Sequence, residues 1–190
     1  MPDLAELQDI LDEPEFDYSV ATIQKLQTTY FEATVPVGEK VQTYRFDYIE
    51  KRRFRIESDW FDQIFLWEKH PINLPARESN YAVYVGKNSL DTAMVRSAAL
   101  KAMSDTFEDW YPPSEFLNSY VLKTSASELN NFLLYTGPET FIKIFKREFG
   151  GQEVQLSLLP ANNEYKTPGK VLVFGTSYVW ATDFKITKIS

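Results

Sequence analysis

The chain has 190 residues, of which 44% are hydrophobic and 25% charged, and its formal net charge is −7. It contains no cysteine and one histidine, so a single chain cannot supply a thiolate nucleophile, a cysteine-rich zinc site, an iron–sulfur ligand set or a two-histidine metal site. No stretch approaches 18 consecutive apolar residues and no basic leader followed by an apolar run opens the chain. We therefore predict neither a membrane span nor a secretory signal, and we expect a cytoplasmic protein without a cofactor.

The net charge is concentrated in an acidic leader. The first 24 residues carry seven carboxylates and no lysine or arginine, whereas the rest of the chain carries 20 acidic and 20 basic side chains. Apolar residues recur in this leader at helical spacing: Leu4, Leu7, Ile10 and Leu11. They predict a short amphipathic helix that Pro14 ends. Because so short a helix is marginal in water, we expect it to be ordered only when docked on the protein's own body or on a partner, and we predict these four residues as a partner-binding set.

Two further helices are predicted in the first half of the chain. The first runs from about residue 19 to 32 and has four apolar residues on one side: Val20, Ile23, Leu26 and Tyr30. The second follows Ser58, a typical N-cap, and continues to Pro71 with a broad aromatic face between Trp60 and Trp67. A strand is the alternative for this second stretch.

Residues 41–57 show the period of two that is typical of strands. Five of their apolar residues occupy even positions: Tyr44, Phe46, Tyr48, Phe54 and Ile56. A turn at 50–52 would pair Tyr48 with Phe54 on one face. It would pair Asp47 with Arg55 on the other face, so both faces support the same register. We therefore predict a hairpin here.

The second half of the chain alternates between strand and helix patterns. Residues 81–85 predict a strand, and the following residues predict a long helix that ends near Trp110. Residues 116–123 predict another strand. Two helices are expected next, one opening at the capping-box spacing of 125–128 and ending at Gly137, the other opening at Pro138. One face of this last helix carries three phenylalanines: Phe141, Phe145 and Phe149.

The carboxyl-terminal part of the chain is predicted to be strands. The segments are residues 153–159, 170–174 and 178–189, separated by a polar loop from 160 to 169. The irregular mixture favours an α+β fold with a mixed or antiparallel sheet, hairpins near residues 41–57 and 170–189, and several helices packed against the sheet. We expect an acidic amphipathic segment, residues 1–17, and a single globular domain, residues 18–190.

Three local patterns suggest chemistry only weakly. Gly86-Lys87 stands between a strand and a helix, but the glycine and the serine or threonine of a phosphate-binding loop are missing around it. Glu164-Tyr165-Lys166 has the spacing of a magnesium-dependent nuclease, yet three-residue matches of this kind arise by chance. His70 precedes Pro71 without a nucleophile motif, so we predict a solvated residue at the end of an element and assign no catalytic or metal-binding residue.

The sequence contains one cluster of basic residues, which has four members: Lys51, Arg52, Arg53 and Arg55. The predicted hairpin pairs Arg55 with Asp47, and the chain as a whole is acidic. The basic footprint of nucleic-acid binding is therefore missing, and we predict no nucleic-acid partner.

These observations favour a non-enzymatic protein-interaction or assembly protein, such as a phage- or host-interaction subunit. Its partner would be another protein or a second copy, contacted through the acidic leader or an aromatic face. One alternative is a small apolar-ligand-binding protein with an aromatic-lined pocket. The other is a carboxylate-based, metal-dependent hydrolase or nuclease that uses Glu164 and Lys166.

Overall fold

The computed structural model describes residues 1–12, 20–86, 90–149, 154–163 and 167–190 and confirms an α+β fold. The helices in these ranges are α1 (Pro2–Asp12), α2 (Leu74–Arg77), α3 (Thr92–Phe107), α4 (Ser119–Lys123) and α5 (Glu139–Glu148). The strands are β1 (Ala21–Leu26), β2 (Tyr30–Val37), β3 (Lys40–Arg55), β4 (Trp60–Phe61), β5 (Ile64–Trp67), β6 (Asn80–Val85), β7 (Leu90–Asp91), β8 (Glu128–Leu129), β9 (Phe132–Pro138), β10 (Leu156–Pro160), β11 (Lys170–Phe174) and β12 (Ser177–Lys188). Short 3₁₀ turns lie at Pro71–Asn73 and Pro113–Glu115.

The chain divides into two compact units. Unit 1 comprises Met1–Asn73 and Thr167–Ser190, and unit 2 comprises Leu74–Lys166. The predicted boundary after residue 17 falls within residues 13–19, outside the described residues. The division into a segment and a single domain therefore stays a prediction.

Unit 1 is built on a seven-stranded antiparallel sheet with the order β4-β1-β2-β3-β12-β11-β5. The long strands β3 and β12 pair at its centre. The two outermost strands, β4 and β5, are consecutive in the chain, with only Asp62 and Gln63 between them. Because two residues span at most about 10 Å between flanking Cα atoms, the sheet must curl back on itself to bring its two edges together.

The inner face of the curled sheet holds the hydrophobic core of unit 1. Phe31 and Phe46 stack with ring centroids 4.3 Å apart, and the Phe174 ring lies 4.9 Å from Phe31. All three side chains are buried. Residues on alternate positions of β2 and β3 reach this core, whereas the intervening residues are more exposed, as expected for strands with one buried face.

The predicted helix at 19–32 is wrong, and so is the hairpin at 41–57. Residues 21–37 form β1 and β2, in which Phe31, Ala33 and Val35 alternate inward. Residues 40–55 form the single strand β3, and residues 50–52 lack the glycine, asparagine or proline of a tight turn. The backbone irregularity there is a bulge opposite β12, with Glu50 at a φ of 48°, and the chain does not reverse.

The predicted hairpin at 170–189 is confirmed by β11 and β12. Gly175 supplies the positive φ, 55°, that the connecting turn requires. The first part of β12 is buried on both faces, since Tyr178, Val179 and Trp180 are each at most 1% exposed.

Unit 2 contains a three-stranded antiparallel sheet with the order β10-β6-β9, and α5 contacts β6, β9 and α3. The predictions for β6, α3 and α5 are confirmed, and Phe141, Phe145 and Phe149 are buried. Two predictions are wrong: residues 116–123 contain α4, and residues 125–137 contain β8 and most of β9. In both cases a local helix or strand signal was overridden by pairing and packing with distant residues.

Candidate interaction surface

The aromatic stretch between Trp60 and Trp67 is two strands, as the alternative interpretation of the sequence predicted, and the predicted helix is wrong. Its side chains alternate between the two faces of the sheet. Phe61 and Ile64 point inward and are 0% and 1% exposed. Trp60, Phe65 and Trp67 point outward and are 53%, 38% and 47% exposed. We call these three residues the outer aromatic face.

Pairing with the neighbouring strands holds this alternation in place. Phe65 lies opposite Val173 and Trp67 opposite Val171 on β11, while Trp60 lies opposite Thr22 on β1. On the inner side, the Phe61 ring meets the Phe174 ring edge-on at 5.4 Å. Because the side-chain period of a strand is two, burying Phe61 on β4 turns Trp60 outward, and burying Ile64 on β5 turns Phe65 and Trp67 outward. Leu66 lies on the same side as Ile64 and packs against the core.

The rings on β5 continue to the single histidine. The centroids of Phe65 and Trp67 are 6.2 Å apart, and the Trp67 ring lies 5.3 Å from the His70 ring. His70 is only 3% exposed, so the prediction of a solvated side chain is wrong. Its Nδ1 accepts a hydrogen bond from the Ile72 N–H at 3.2 Å. Burial lowers the pKa of His70 to about 4, because the charged imidazolium would lose its hydration.

The predicted partner-binding residues of the leader lie on α1, which the structure confirms as a helix. Leu4 and Leu7 are buried in the core of unit 1, and Ile10 and Leu11 are partly buried against the same core. Burying a leucine side chain contributes about 1.5–3 kcal/mol. The apolar side of α1 is therefore docked on the protein's own sheet.

Polar contacts fix the orientation of α1 on unit 1. The Asp3 carboxylate accepts a hydrogen bond from the Lys188 N–H at 3.1 Å, and Glu6 forms a 2.7 Å ion pair with the Lys188 Nζ. The Gln8 side chain donates to the Ile64 carbonyl at 2.8 Å. Burial, followed by the nearby Glu6 carboxylate, raises the pKa of Tyr44 to about 12. The helix thus contacts the end of β12 through Lys188 and the start of β5 through Ile64.

Partner binding by Leu4, Leu7, Ile10 and Leu11 stays a prediction. In the observed arrangement, Leu4 and Leu7 would reach a partner only if α1 left the sheet. The outer aromatic face needs no such rearrangement, since its side chains are already exposed.

The side chains of the basic cluster make other contacts than the predicted pair of Arg55 with Asp47. Arg55, the last residue of β3, pairs with Glu57 two residues further along the chain, and not with Asp47. The Lys51 ammonium lies 4.1 Å from the centre of the Phe54 ring, and Arg52 donates to the Thr167 hydroxyl at 3.0 Å. These contacts show basic side chains lying against aromatic rings and polar neighbours of their own chain. The prediction that the chain binds no nucleic acid is not tested by them.

Unit 2 contains an open cavity of about 230 Å³. It is lined by Pro75, Asn80, Tyr111, Glu115, Phe116, Thr136, Gly137, Asn162 and Asn163. The Phe141, Phe145 and Phe149 side chains fill the interior of unit 2 and do not line this cavity. Because three asparagines and one glutamate lie beside two aromatic residues in this lining, the cavity is more polar than the aromatic-lined pocket that the apolar-ligand alternative predicts. That alternative stays a prediction.

The other chemical patterns lie mostly outside the described residues. Lys87 and the Glu164-Tyr165-Lys166 sequence belong to the ranges 87–89 and 164–166, so the nucleotide and metal-dependent hydrolase hypotheses stay untested there. Within the described ranges, no group of three or more His, Asp or Glu side chains is placed to hold a metal ion. In those same ranges no helix is both long and apolar enough to cross a membrane.

We compared the chain with family models, curated proteins and solved structures, and none of the three comparisons found a match. The candidate surface therefore rests on the geometry of this chain. Sequence reasoning identified the aromatic stretch but placed it on a helix. The usable signal was the alternation of Ile64, Phe65, Leu66 and Trp67, in which two aromatic residues occupy every second position.

Proposed function

We propose that this chain is a cytoplasmic, non-enzymatic protein-interaction or assembly protein whose contact surface is the outer aromatic face. The observation that carries the proposal is the exposure of Trp60, Phe65 and Trp67 at outward positions of one short stretch of chain. Large aromatic side chains left in water forgo the free energy of burial, which a partner surface would recover.

The chemistry and the support of these residues suit a protein contact. Tryptophan is enriched among the few residues that carry most of the binding energy at protein interfaces. Trp67 and Phe65 stand on a strand whose inner side chains are locked in the core, so their positions are held before binding. A contact surface that is already ordered loses less conformational entropy when a partner binds.

The test compares the native chain with a Trp60→Ser/Trp67→Ser double variant. A Tyr84→Ser/Tyr120→Ser double variant is the matched control, because it removes two exposed aromatic side chains from unit 2. Cross-linking in cells followed by mass spectrometry identifies partners, and light scattering measures self-association. Circular dichroism shows that each variant is folded.

We expect the tryptophan variant to lose the partner or the self-association that the native chain and the tyrosine variant retain. Loss of one interface tryptophan of the strongest class costs about 2 kcal/mol or more, or roughly a 30-fold loss of affinity. The proposal is wrong if the native chain neither self-associates nor cross-links to a protein, or if the tryptophan variant retains the interaction at native strength.

A further inference from the structure

The outer aromatic face is bordered by carboxylates. Asp59 precedes Trp60, Asp62 lies between β4 and β5, and Glu68 follows Trp67. All three are exposed. None of the three forms an ion pair with another residue in the described part of the chain, so their charges are available to a ligand.

The one basic residue within this stretch of sequence does not neutralise its carboxylates. From residue 59 to residue 69 there are three carboxylates and one lysine, Lys69, which gives a formal charge of −2. Arg55 is already paired with Glu57. Arg53 lies on β3, three strands away from β5 in the order β5-β11-β12-β3, or about 14 Å at the usual strand spacing. The stretch from residue 59 to residue 69 is therefore both aromatic and anionic.

The same chain shows which side chain suits such a surface. On β2 and β3, the guanidinium carbon of Arg45 lies 3.8 Å from the centre of the Tyr30 ring. Arg45 also pairs with Asp47 at 2.9 Å and with Glu32 at 3.8 Å. One arginine thus contacts an aromatic ring and two carboxylates at once, because its planar cation can stack on a ring and hydrogen-bond at its edge.

Building on the proposed function, we infer that the outer aromatic face binds an arginine-bearing segment of a partner protein. Arginine side chains stack on the Trp60, Phe65 and Trp67 rings and pair with the carboxylates that border them. Nucleic acids and anionic membranes are poor occupants, since their phosphates would be repelled by a stretch of chain with a formal charge of −2. Charge complementarity therefore selects a cationic protein segment.

The probe for this inference is a ten-residue peptide of alternating arginine and threonine, with a glutamate–threonine peptide as the control. Binding is measured by nuclear magnetic resonance of the four tryptophan indole N–H groups. We expect the arginine peptide to shift the signals of Trp60 and Trp67. The signals of buried Trp180 and of Trp110, in unit 2, are expected to stay in place. The glutamate peptide should shift none of them.

Carboxylate variants test the charge requirement directly. Asp62→Asn and Glu68→Gln should each lower the affinity for the arginine peptide by about two- to fivefold, as expected for the loss of an exposed ion pair. Added salt should lower the affinity of the native chain for this peptide. Glu39→Gln, in the exposed turn between β2 and β3, is the matched control and should leave binding unchanged.

The possible outcomes separate this inference from the proposed function. Equal binding of both peptides, no binding of either, or native affinity in both Asp62→Asn and Glu68→Gln would overturn the arginine inference. None of these results would contradict the proposed function, as long as the Trp60→Ser/Trp67→Ser variant abolishes the interaction with the partner. Retention of the cellular partner by that double variant would overturn the proposed function even if the arginine peptide binds.

Discussion

The inner and outer faces of the curled sheet in unit 1 use the same kinds of side chain for different purposes. Phe61 is fully buried and packs on Phe174, whereas its neighbour Trp60 is half-exposed. The residues are adjacent and belong to the same strand, so neither composition nor strand propensity separates them. The comparison teaches that an aromatic residue contributes to stability or to recognition according to the face on which the sheet places it.

The largest expected effect separates these two neighbours. Phe61→Ala should lower the free energy of unfolding by about 3–5 kcal/mol, because it removes a buried ring and leaves a cavity. Trp60→Ala should change that free energy by no more than about 0.5 kcal/mol. Urea denaturation measures both. Similar losses from the two substitutions would contradict the division between a stabilising inner face and a free outer face.

A second pair extends the comparison to the helix that covers the inner face. Leu7→Ala should cost about 2–5 kcal/mol, since Leu7 is 1% exposed in the core. Leu11→Ala removes the same atoms from a partly buried position and should cost about 1 kcal/mol or less. The measurement is again urea denaturation. Equal and small effects would show that α1 is not docked in solution and would favour the leader as a partner-binding segment.

The third prediction concerns His70, which is buried beside the exposed Trp67. Its pKa is about 4 in the folded chain and about 6.5 when unfolded. Between these values the unfolded chain binds a proton that the folded chain does not, so acidification destabilises the fold. The loss approaches 1.4 kcal/mol per pH unit below 6.5 and totals roughly 3 kcal/mol by pH 4.

Comparison with His70→Asn isolates this effect from the titration of carboxylates. Unfolding free energies of both proteins are measured between pH 7 and pH 4.5, and the native chain should lose about 2–3 kcal/mol more than the variant. If the unfolding free energies of the two proteins depend on pH in the same way, the His70 side chain is accessible to water and is not part of the buried core.

The smallest expected effect is at the ion pair between α1 and β12. Glu6→Gln should lower stability by less than about 1 kcal/mol, because both partners of the 2.7 Å contact with Lys188 are partly exposed. The measurement is urea denaturation at low and high salt. A loss above 2 kcal/mol that disappears in high salt would show that charge holds α1 in place more strongly than its leucines do.

Several elements could be predicted from local pattern alone. The α1 and α5 helices were predictable because their apolar residues recur with a helical period. Hydrophobic runs bounded by turn residues revealed β6 and β11. Residues 19–32 were predicted wrongly because a short apolar run fits both the helical and the strand period. Residues 50–52 and 125–128 were predicted wrongly because the sequence signals for a turn and for a helix cap were weak. Strand pairing with distant residues decided those stretches, and a single sequence does not display such pairing.

The candidate surface was predictable only in part. The aromatic stretch from Trp60 to Trp67 and the leucines of the leader stood out in the sequence as apolar groups that need a surface. Alternation along a strand defines two faces, but it does not say which one the rest of the chain covers. The tertiary structure decided that question. Closure of the sheet buried Phe61 and Ile64 and left Trp60, Phe65 and Trp67 in water, while the same core accepted Leu4 and Leu7.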